Sequence, residues 1–391
     1  MSLKSISLGG KGAARLRRGH PWIYRSDVTS VGPDVTGGDL VCVRLPDGKW
    51  AGYATWSDHG QLAGRMTPIG PDVADPEAAF MHMVTQAVAR RKGRPAACRL
   101  VNGDADGLPG LIVDRYGPGL AIQSLTQAAA RREGLIVERL LACTGARVVV
   151  ARNDVKVRAF EGLPMERSVL VSDPGVDPAD IVVEMHGLRL RYDLLEGQKT
   201  GGFLDQTDNR VAAAALAHGD ALDCFCYDGG FSLHLAAAGC NVTAVDSSGP
   251  ALARLTRRAA DNGLEKKITP VEENVFDLLR TYEREGRRFD TIVLDPPAFA
   301  KSRDAVEAGR RAYKEINLRG LKLLRHGGLL VTCSCSAHMD RAGFEHMLSE
   351  AAGDARRFVR ILDRRSAAPD HPTLVTAPET DYLKVLIAEA H

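Results

Sequence analysis

The sequence predicts an α/β protein in three parts: a small β-barrel, a small α+β region, and a parallel sheet covered by helices on both faces. Three observations carry that reading. Short β-prone runs joined by Gly-Gly-Asp and Pro-Asp-Gly turns fill residues 1–70. Strand, helix and strand succeed one another within residues 77–188. Over residues 190–391, apolar strand-like runs alternate regularly with amphipathic helical ones. A chain of 391 residues is long enough for two or three domains, and the pattern changes at those boundaries.

In the first part, Gly37-Gly38-Asp39 is a turn before a strand over residues 40–45, and Pro46-Asp47-Gly48 reverses the chain into a strand over 50–54. Residues 68–76, with three prolines and one glycine, read as a linker. The middle part opens with a helix over 77–92, a turn-rich loop over 104–110 and a strand over 111–114. A strand over 120–123, a helix over 128–141 and a strand over 147–151 complete it. In the last part the first, second, fourth and fifth strands span 221–224, 241–245, 291–294 and 328–332. Helices over 232–238, 249–262 and 303–324 fall between them.

Hydrophobic residues make up 45% of the chain and charged residues 26%, the balance of a soluble globular protein. No stretch approaches the roughly 20 apolar residues of a membrane helix. Residues 1–25 are polar and basic rather than an apolar signal core, so a cytoplasmic location is expected. The eight cysteines occur singly or as the pairs Cys224/Cys226 and Cys333/Cys335. Cytosolic thiols stay reduced, so no disulfide framework is expected, and Cys-x-Cys is not the common zinc spacing, so no metal is expected.

A net charge of +2 selects no partner, but its distribution is informative. Lys4, Lys11, Arg15, Arg17, Arg18 and Arg25 precede the first acidic residue, Asp27, with Trp22 and Tyr24 among them. Arg90, Arg91, Lys92 and Arg94 form a second cluster. Basic groups with interleaved aromatics neutralise phosphates and stack bases. A solvated basic face explains either cluster alone equally well. Arg15, Arg17, Arg18, His20 and Trp22, with Lys301 further along, are the expected RNA contacts.

In a parallel sheet of this kind, ligands bind beyond the carboxyl ends of the strands. The first strand of the last part runs into Cys226-Tyr227-Asp228-Gly229-Gly230-Phe231-Ser232, a glycine turn that opens a helix. The second ends in Asp246-Ser247, where a carboxylate can hold two ribose hydroxyls. A dinucleotide site would look similar. Here, however, the turn is not G-x-G-x-x-G, and Asp228 would repel a pyrophosphate. A carboxylate at that point suits a ligand bearing positive charge, and S-adenosylmethionine carries both a sulfonium and an ammonium. Asn274 is expected to meet its adenine ring. Tyr227, Asp228, Gly229, Phe231, Asp246, Ser247 and Asn274 are thus the expected donor contacts.

Asp295-Pro296-Pro297-Ala298-Phe299 follows the fourth strand, where two prolines fix a rigid turn that aims Asp295 into the cleft. Phe299 could stack on a flat base. The fifth strand ends in Thr332-Cys333-Ser334-Cys335-Ser336, and a thiol there could act as nucleophile. Methylation of a pyrimidine at carbon 5 needs one, because that carbon is not nucleophilic until a thiolate adds to carbon 6. Asp295 near the ring nitrogen would stabilise the developing charge, and a base would remove the carbon 5 proton. Strand alternation puts Cys333 and Cys335 on one face and does not choose between them. Burial in a core is the ordinary fate of either. Three classes of function stay open: a cytosine-C5 RNA methyltransferase, a guanine-nitrogen methyltransferase needing no thiol, and a catalytically idle RNA-binding or assembly protein.

The chain resembles, over nearly its full length, the ribosomal large-subunit methyltransferase I family of 23S rRNA cytosine-C5 methyltransferases. The resemblance lies in Arg15-Leu16-Arg17-Arg18-Gly19-His20-Pro21-Trp22-Ile23-Tyr24 and in residues 105–116, Ala-Asp-Gly-Leu-Pro-Gly-Leu-Ile-Val-Asp-Arg-Tyr. It continues in Lys199-Thr200-Gly201-Gly202-Phe203-Leu204-Asp205-Gln206, in Asp295-Pro296-Pro297 and in Ser334-Cys335-Ser336. It implies a PUA-type RNA-binding domain, a central domain and a Rossmann-like class I methyltransferase domain with a seven-stranded, mostly parallel sheet. The final strand, over 382–388, would be antiparallel. It further implies S-adenosylmethionine as donor, Cys335 rather than Cys333 as nucleophile, and donor contacts from Phe203, Gln206, Arg210 and Asp295. The implied partner is large-subunit rRNA, naked or partly assembled, with a homodimer as an open arrangement and no membrane. Thr207 and Asn274 depart from the family pattern, which commonly has Arg and Asp there.

Overall fold

The computed structural model describes residues 4–300 and 304–391. Contacts divide the chain into two compact units. The first comprises Met1–Met185, Arg191–Leu204 and Pro369–Thr380, and the second His186–Leu190, Asp205–Ala368 and Asp381–His391.

The first unit holds two sheets. A six-stranded sheet runs in the order Trp22–Tyr24, Leu62–Met66, Trp50–Trp56, Leu40–Arg44, Ser5–Leu8, Val28–Val31. Inward-facing Ile6, Ile23, Val41, Val43, Ala54 and Trp56 form its core. The strands expected at 40–45 and 50–54 are present. The others are three to five residues long and carry too little alternation to be read from sequence.

A five-stranded sheet follows, in the order Arg167–Val171, Val148–Arg152, Gly119–Ser124, Leu111–Tyr116, Ala97–Asn102. The helix Pro76–Arg90 begins with Asp75 accepting from the Ala78 amide and with proline in its first turn. The helix expected at 128–141 is two, Gln127–Arg131 and Glu133–Thr144, broken at Arg132.

One hydrophobic cluster joins Leu40, Cys42, Tyr53 and Ile69 to Phe80, Val84, Leu100 and Ile122. The two sheets therefore share a core. Residues 68–76 are not a free linker, since Ile69 is buried and its carbonyl accepts from the Tyr53 amide at 3.0 Å.

The second unit is built on a seven-stranded sheet. Its strands are β1 (Asp220–Cys224), β2 (Asn241–Asp246), β3 (Ile268–Glu272), β4 (Phe289–Leu294), β5 (Leu324–Ser334), β6 (Val359–Arg365) and β7 (Lys384–Ala390). Their spatial order is β3-β2-β1-β4-β5-β7-β6, with β7 antiparallel to both neighbours and the remaining pairs parallel. Helices α1 (Thr207–Leu216), α2 (Gly230–Ala237), α3 (Gly249–Asp261), α4 (Val275–Arg284), α5 (Val306–Leu323) and α6 (Arg341–Ala355) accompany it. The central strands are buried because helices shield them, as continuous apolar runs require. The expected α/β class and the antiparallel final strand are observed, the latter two residues further on than expected. Among the described residues, no helix is long and apolar enough to cross a membrane.

Candidate active site

Cys224, Val245, Leu294 and Thr332 stand level across β1, β2, β4 and β5. The segments leaving these strands therefore emerge along one edge of the sheet. After β1, Phe225 and Tyr227 adopt φ of 62° and 50°, and Gly229 has φ 82°. Left-handed backbone costs a side-chain-bearing residue about 1–2 kcal/mol. Cross-strand bonds hold the turn: the Cys226 amide donates to Val245 O at 3.0 Å and the Tyr227 amide to Asp246 Oδ2 at 2.9 Å. A Cβ on Gly229 would overlap Leu255 Cδ1. Asp246 also accepts from the Ser248 amide at 2.9 Å, which fixes its half-buried carboxylate at the tip of β2 beside exposed Ser247.

Two of the expected donor contacts are already engaged within the fold. Asp228 is buried, and its carboxylate is paired with Arg258 at 2.8 Å. Asn274 caps α4, its amide oxygen accepting from the Phe276 and Asp277 amides at 2.9 and 3.4 Å. The cap thus competes for the oxygen that an adenine amino group would use.

The acidic group missed in the sequence is Asp223, within β1. Its Oδ2 accepts from Ser232 Oγ at 2.6 Å, while Oδ1 is buried and has no hydrogen-bond partner among the described residues. Burial above all, reinforced by the charge of Asp295, pushes this carboxyl up to about 7. Arg210, on α1, lies buried against Gly230 and 6.0 Å over the ring of buried Phe231. Its Nε likewise has no hydrogen-bond partner among the described residues. Gln206 precedes α1. Its Oε1 accepts from Asn209 Nδ2 at 2.7 Å, which orients its Nε2 to donate to Asp295 Oδ1 at 3.0 Å.

The two cysteines at the end of β5 are no longer equivalent. Cys333 is sealed in the sheet, and burial pushes its thiol well above the ordinary range. β5 ends at Ser334, so Cys335 escapes the strand's alternation and is partly exposed. Its Sγ lies 4.0 Å from Pro296 O of the Asp-Pro-Pro turn. Phe299 packs on Tyr313 and Phe276, as a wall of the core rather than an open stacking face.

In the first unit, Phe203 has Lys199 Nζ 4.6 Å from its ring. Arg15 is tied to buried Asp27 and covers the Tyr24 ring. Trp22 Nε1 donates to Asp104 at 3.3 Å, and His20 lies edge-on to Trp22 and 3.5 Å from Glu379. These three are bound into the fold, whereas Lys11, Arg17 and Arg18 stay exposed at the helix Gly10–Arg17, Arg17 in a surface pair with Asp47 at 3.2 Å. Arg91 of the second basic cluster is buried in a two-pronged pair with Asp106 at 2.6 and 2.7 Å, so it is no solvent-facing cation. Lys301 lies outside the described residues.

Residues 6–67 match a model of the PUA-like domain, and residues 146–387 match that of the S-adenosylmethionine-dependent methyltransferases. The ribosomal RNA large subunit methyltransferase I of Shewanella denitrificans is 37% identical over 95% of this chain and 96% of its own. That of Aeromonas hydrophila is 36% identical over the full length of both. The chain belongs to the ribosomal RNA large subunit methyltransferase I family.

Solved structures carry the same fold. A provisionally described SAM-dependent methyltransferase from Streptococcus mutans superposes with a TM-score of 0.82 at 21% identity, over 99% of this chain and 100% of that one. A further provisionally described methyltransferase, solved with S-adenosylhomocysteine, gives 0.84 at 21% identity with the same coverage. The family's methyl donor is S-adenosylmethionine, and the residues present fit it. Asp223 Oδ1 and Arg210 Nε, one acidic and one basic, are buried and without hydrogen-bond partners among the described residues. They match the ammonium and carboxylate of an amino acid. The Asp246 carboxylate retains lone pairs for ribose hydroxyls.

Proposed function

We propose that this chain forms 5-methylcytidine in large-subunit (23S) rRNA, with Cys335 as the nucleophile that adds to carbon 6 of the target cytosine. The observation that carries the reading is the partial exposure of Cys335 beside the Asp-Pro-Pro turn, while Cys333 is sealed. The near-full-length relatives named for large-subunit rRNA support the substrate class.

In this reading, Asp223 and Arg210 hold the two ends of the donor's amino acid, and Asp246 its ribose. Tyr227, Gly229, Phe231 and Ser247 shape the surrounding wall. When bound, the donor supplies an electrophilic methyl group and leaves as S-adenosylhomocysteine. The Cys335 thiolate forms a bond to carbon 6, and the ring's electron pair shifts so that carbon 5 becomes nucleophilic. Asp295, entering protonated, gives its proton to the ring nitrogen as negative charge develops there and takes it back when the thiolate leaves, while Gln206 holds the carboxylate in orientation. After methyl transfer a base takes the carbon 5 proton, the carbon 5–carbon 6 double bond re-forms, and the thiolate is expelled. Lys11, Arg17 and Arg18 grip the RNA backbone without reading its sequence.

Replacement of Cys335 by Ala tests the proposal. Loss of methylation with retained donor binding is expected. Methylation at full rate would remove the carbon 5 mechanism and favour a guanine-nitrogen target. Absence of donor binding by the unaltered chain would favour a non-catalytic RNA-binding role.

A further inference from the structure

Lys384 opens β7 directly opposite Ser334 of β5, in a run whose other charged residue, Glu389, lies near its far end. Its side chain is only 2% exposed, yet Nζ is solvated by protein: it donates to Ser336 O at 2.7 Å and to Tyr382 O at 2.8 Å. A buried ammonium is costly unless hydrogen-bonded, and replacing it by an apolar residue would be the simpler way to fill a strand. The two carbonyls it binds flank functional chain. Ser336 is the residue after Cys335, and Tyr382 donates through its hydroxyl to Asp205, next to Gln206. Ser336 is clamped from its other side, where its Oγ meets the Tyr313 hydroxyl at 2.9 Å and accepts from the Ala300 amide at 3.2 Å.

We propose that Lys384 is a positioning residue whose buried positive charge holds the Cys335 backbone and favours the Cys335 thiolate. The proposal rests on Cys335 being the nucleophile, but its own readout is the thiol rather than methylation. An adjacent cation stabilises a thiolate. Burial draws Lys384 itself down to about 8, and Asp381, Cys335, Arg341 and Asp340 act on it through space. Tyr313 and Cys333, whose hydroxyl and thiol are both raised mainly by burial, face Cys335 as neutral groups near pH 7 and do not replace the cation.

The test is the pH profile of Cys335 alkylation by iodoacetamide in the full-length chain, read peptide by peptide, with exposed Cys143 as reference. In the unaltered chain the Cys335 midpoint is expected below about 8.5, the value of a free thiol. In Lys384→Met it should rise by about one unit, lowering the rate at pH 7 by up to about tenfold. Lys384→Arg should keep the midpoint low. The kcat for methylation should fall in Lys384→Met, with the KM for the donor unchanged.

A midpoint at or above about 8.5 in the unaltered chain overturns the proposal even if the Met variant does not fold. So does an unchanged midpoint in a folded Lys384→Met, or a rise in Lys384→Arg equal to that in Lys384→Met. Full methylation by Cys335→Ala would instead remove the nucleophile reading and leave the thiol measurement standing.

Discussion

Gln206 Nε2 donates to Asp295 Oδ1 at 3.0 Å, joining the chain that enters α1 to the turn that leaves β4. Asn209 fixes which end of the Gln206 amide faces the carboxylate. A hydrogen bond to a charged group contributes about 1.5–3 kcal/mol. Gln206→Leu should therefore lower kcat about tenfold or more, and also lower the melting temperature, because Gln206 is buried and both its partners lose a bond. Single-turnover methylation checks this, and an unchanged rate would separate the amide from the chemistry.

The raised carboxyl of Asp223 makes a pH prediction for donor binding. Its folded value of about 7 lies above the ordinary carboxylate range, so much of it is protonated in the free protein below neutrality. An ammonium ligand prefers the ionised form, and binding below pH 7 must release a proton. Affinity should fall as pH drops from 7 towards 5, by at most about tenfold per unit. Calorimetry in buffers of different ionisation heat should detect the released proton. Asp223→Asn should bind weakly with no such slope.

Gly229 has φ 82° and no room for a methyl group against Leu255. Gly229→Ala combines left-handed strain with overpacking and should destabilise by about 2–4 kcal/mol. Thermal unfolding with and without the donor measures it. Gly263→Ala shares the positive φ but meets open space, and should lose only the strain component.

Exposed Arg17 and Arg18 predict a salt signature. Changing both to Glu should weaken binding to rRNA fragments and flatten the slope of affinity against salt by about one per lost phosphate contact. Donor affinity should not change. An unaltered salt slope would assign RNA binding to another face.

Much of this could be read in the sequence, for physical reasons that differ by residue. Alternation of apolar strands and amphipathic helices is a long-range pattern, so the parallel sheet and its active edge were legible. Three- and four-residue strands such as Trp22–Tyr24 and Ser5–Leu8 are shorter than any periodicity can register. Asn274 stood immediately before the apolar run of α4, which is itself a helix-start signal that outweighs a ligand reading. Asp223 and Lys384 were each a charge set among apolar strand neighbours, and that oddity was the available clue. The partner of Asp228 was not legible, because Arg258 comes from α3, far along the chain. Likewise, only the observed end of β5 at Ser334 separates Cys333 from Cys335.

The interleaving of the two units bears on the order in which the nascent chain can fold. Each unit is assembled from three stretches, and each needs a stretch from the last quarter of the chain: Pro369–Thr380 for one and Asp381–His391 for the other. β7 is inserted between β5 and β6, so the sheet cannot close until Lys384–Ala390 has left the ribosome. Domains often fold in succession as they are synthesised. Here neither unit is whole until those stretches have been made, and the thiol at Cys335 lacks its Lys384 neighbour until then.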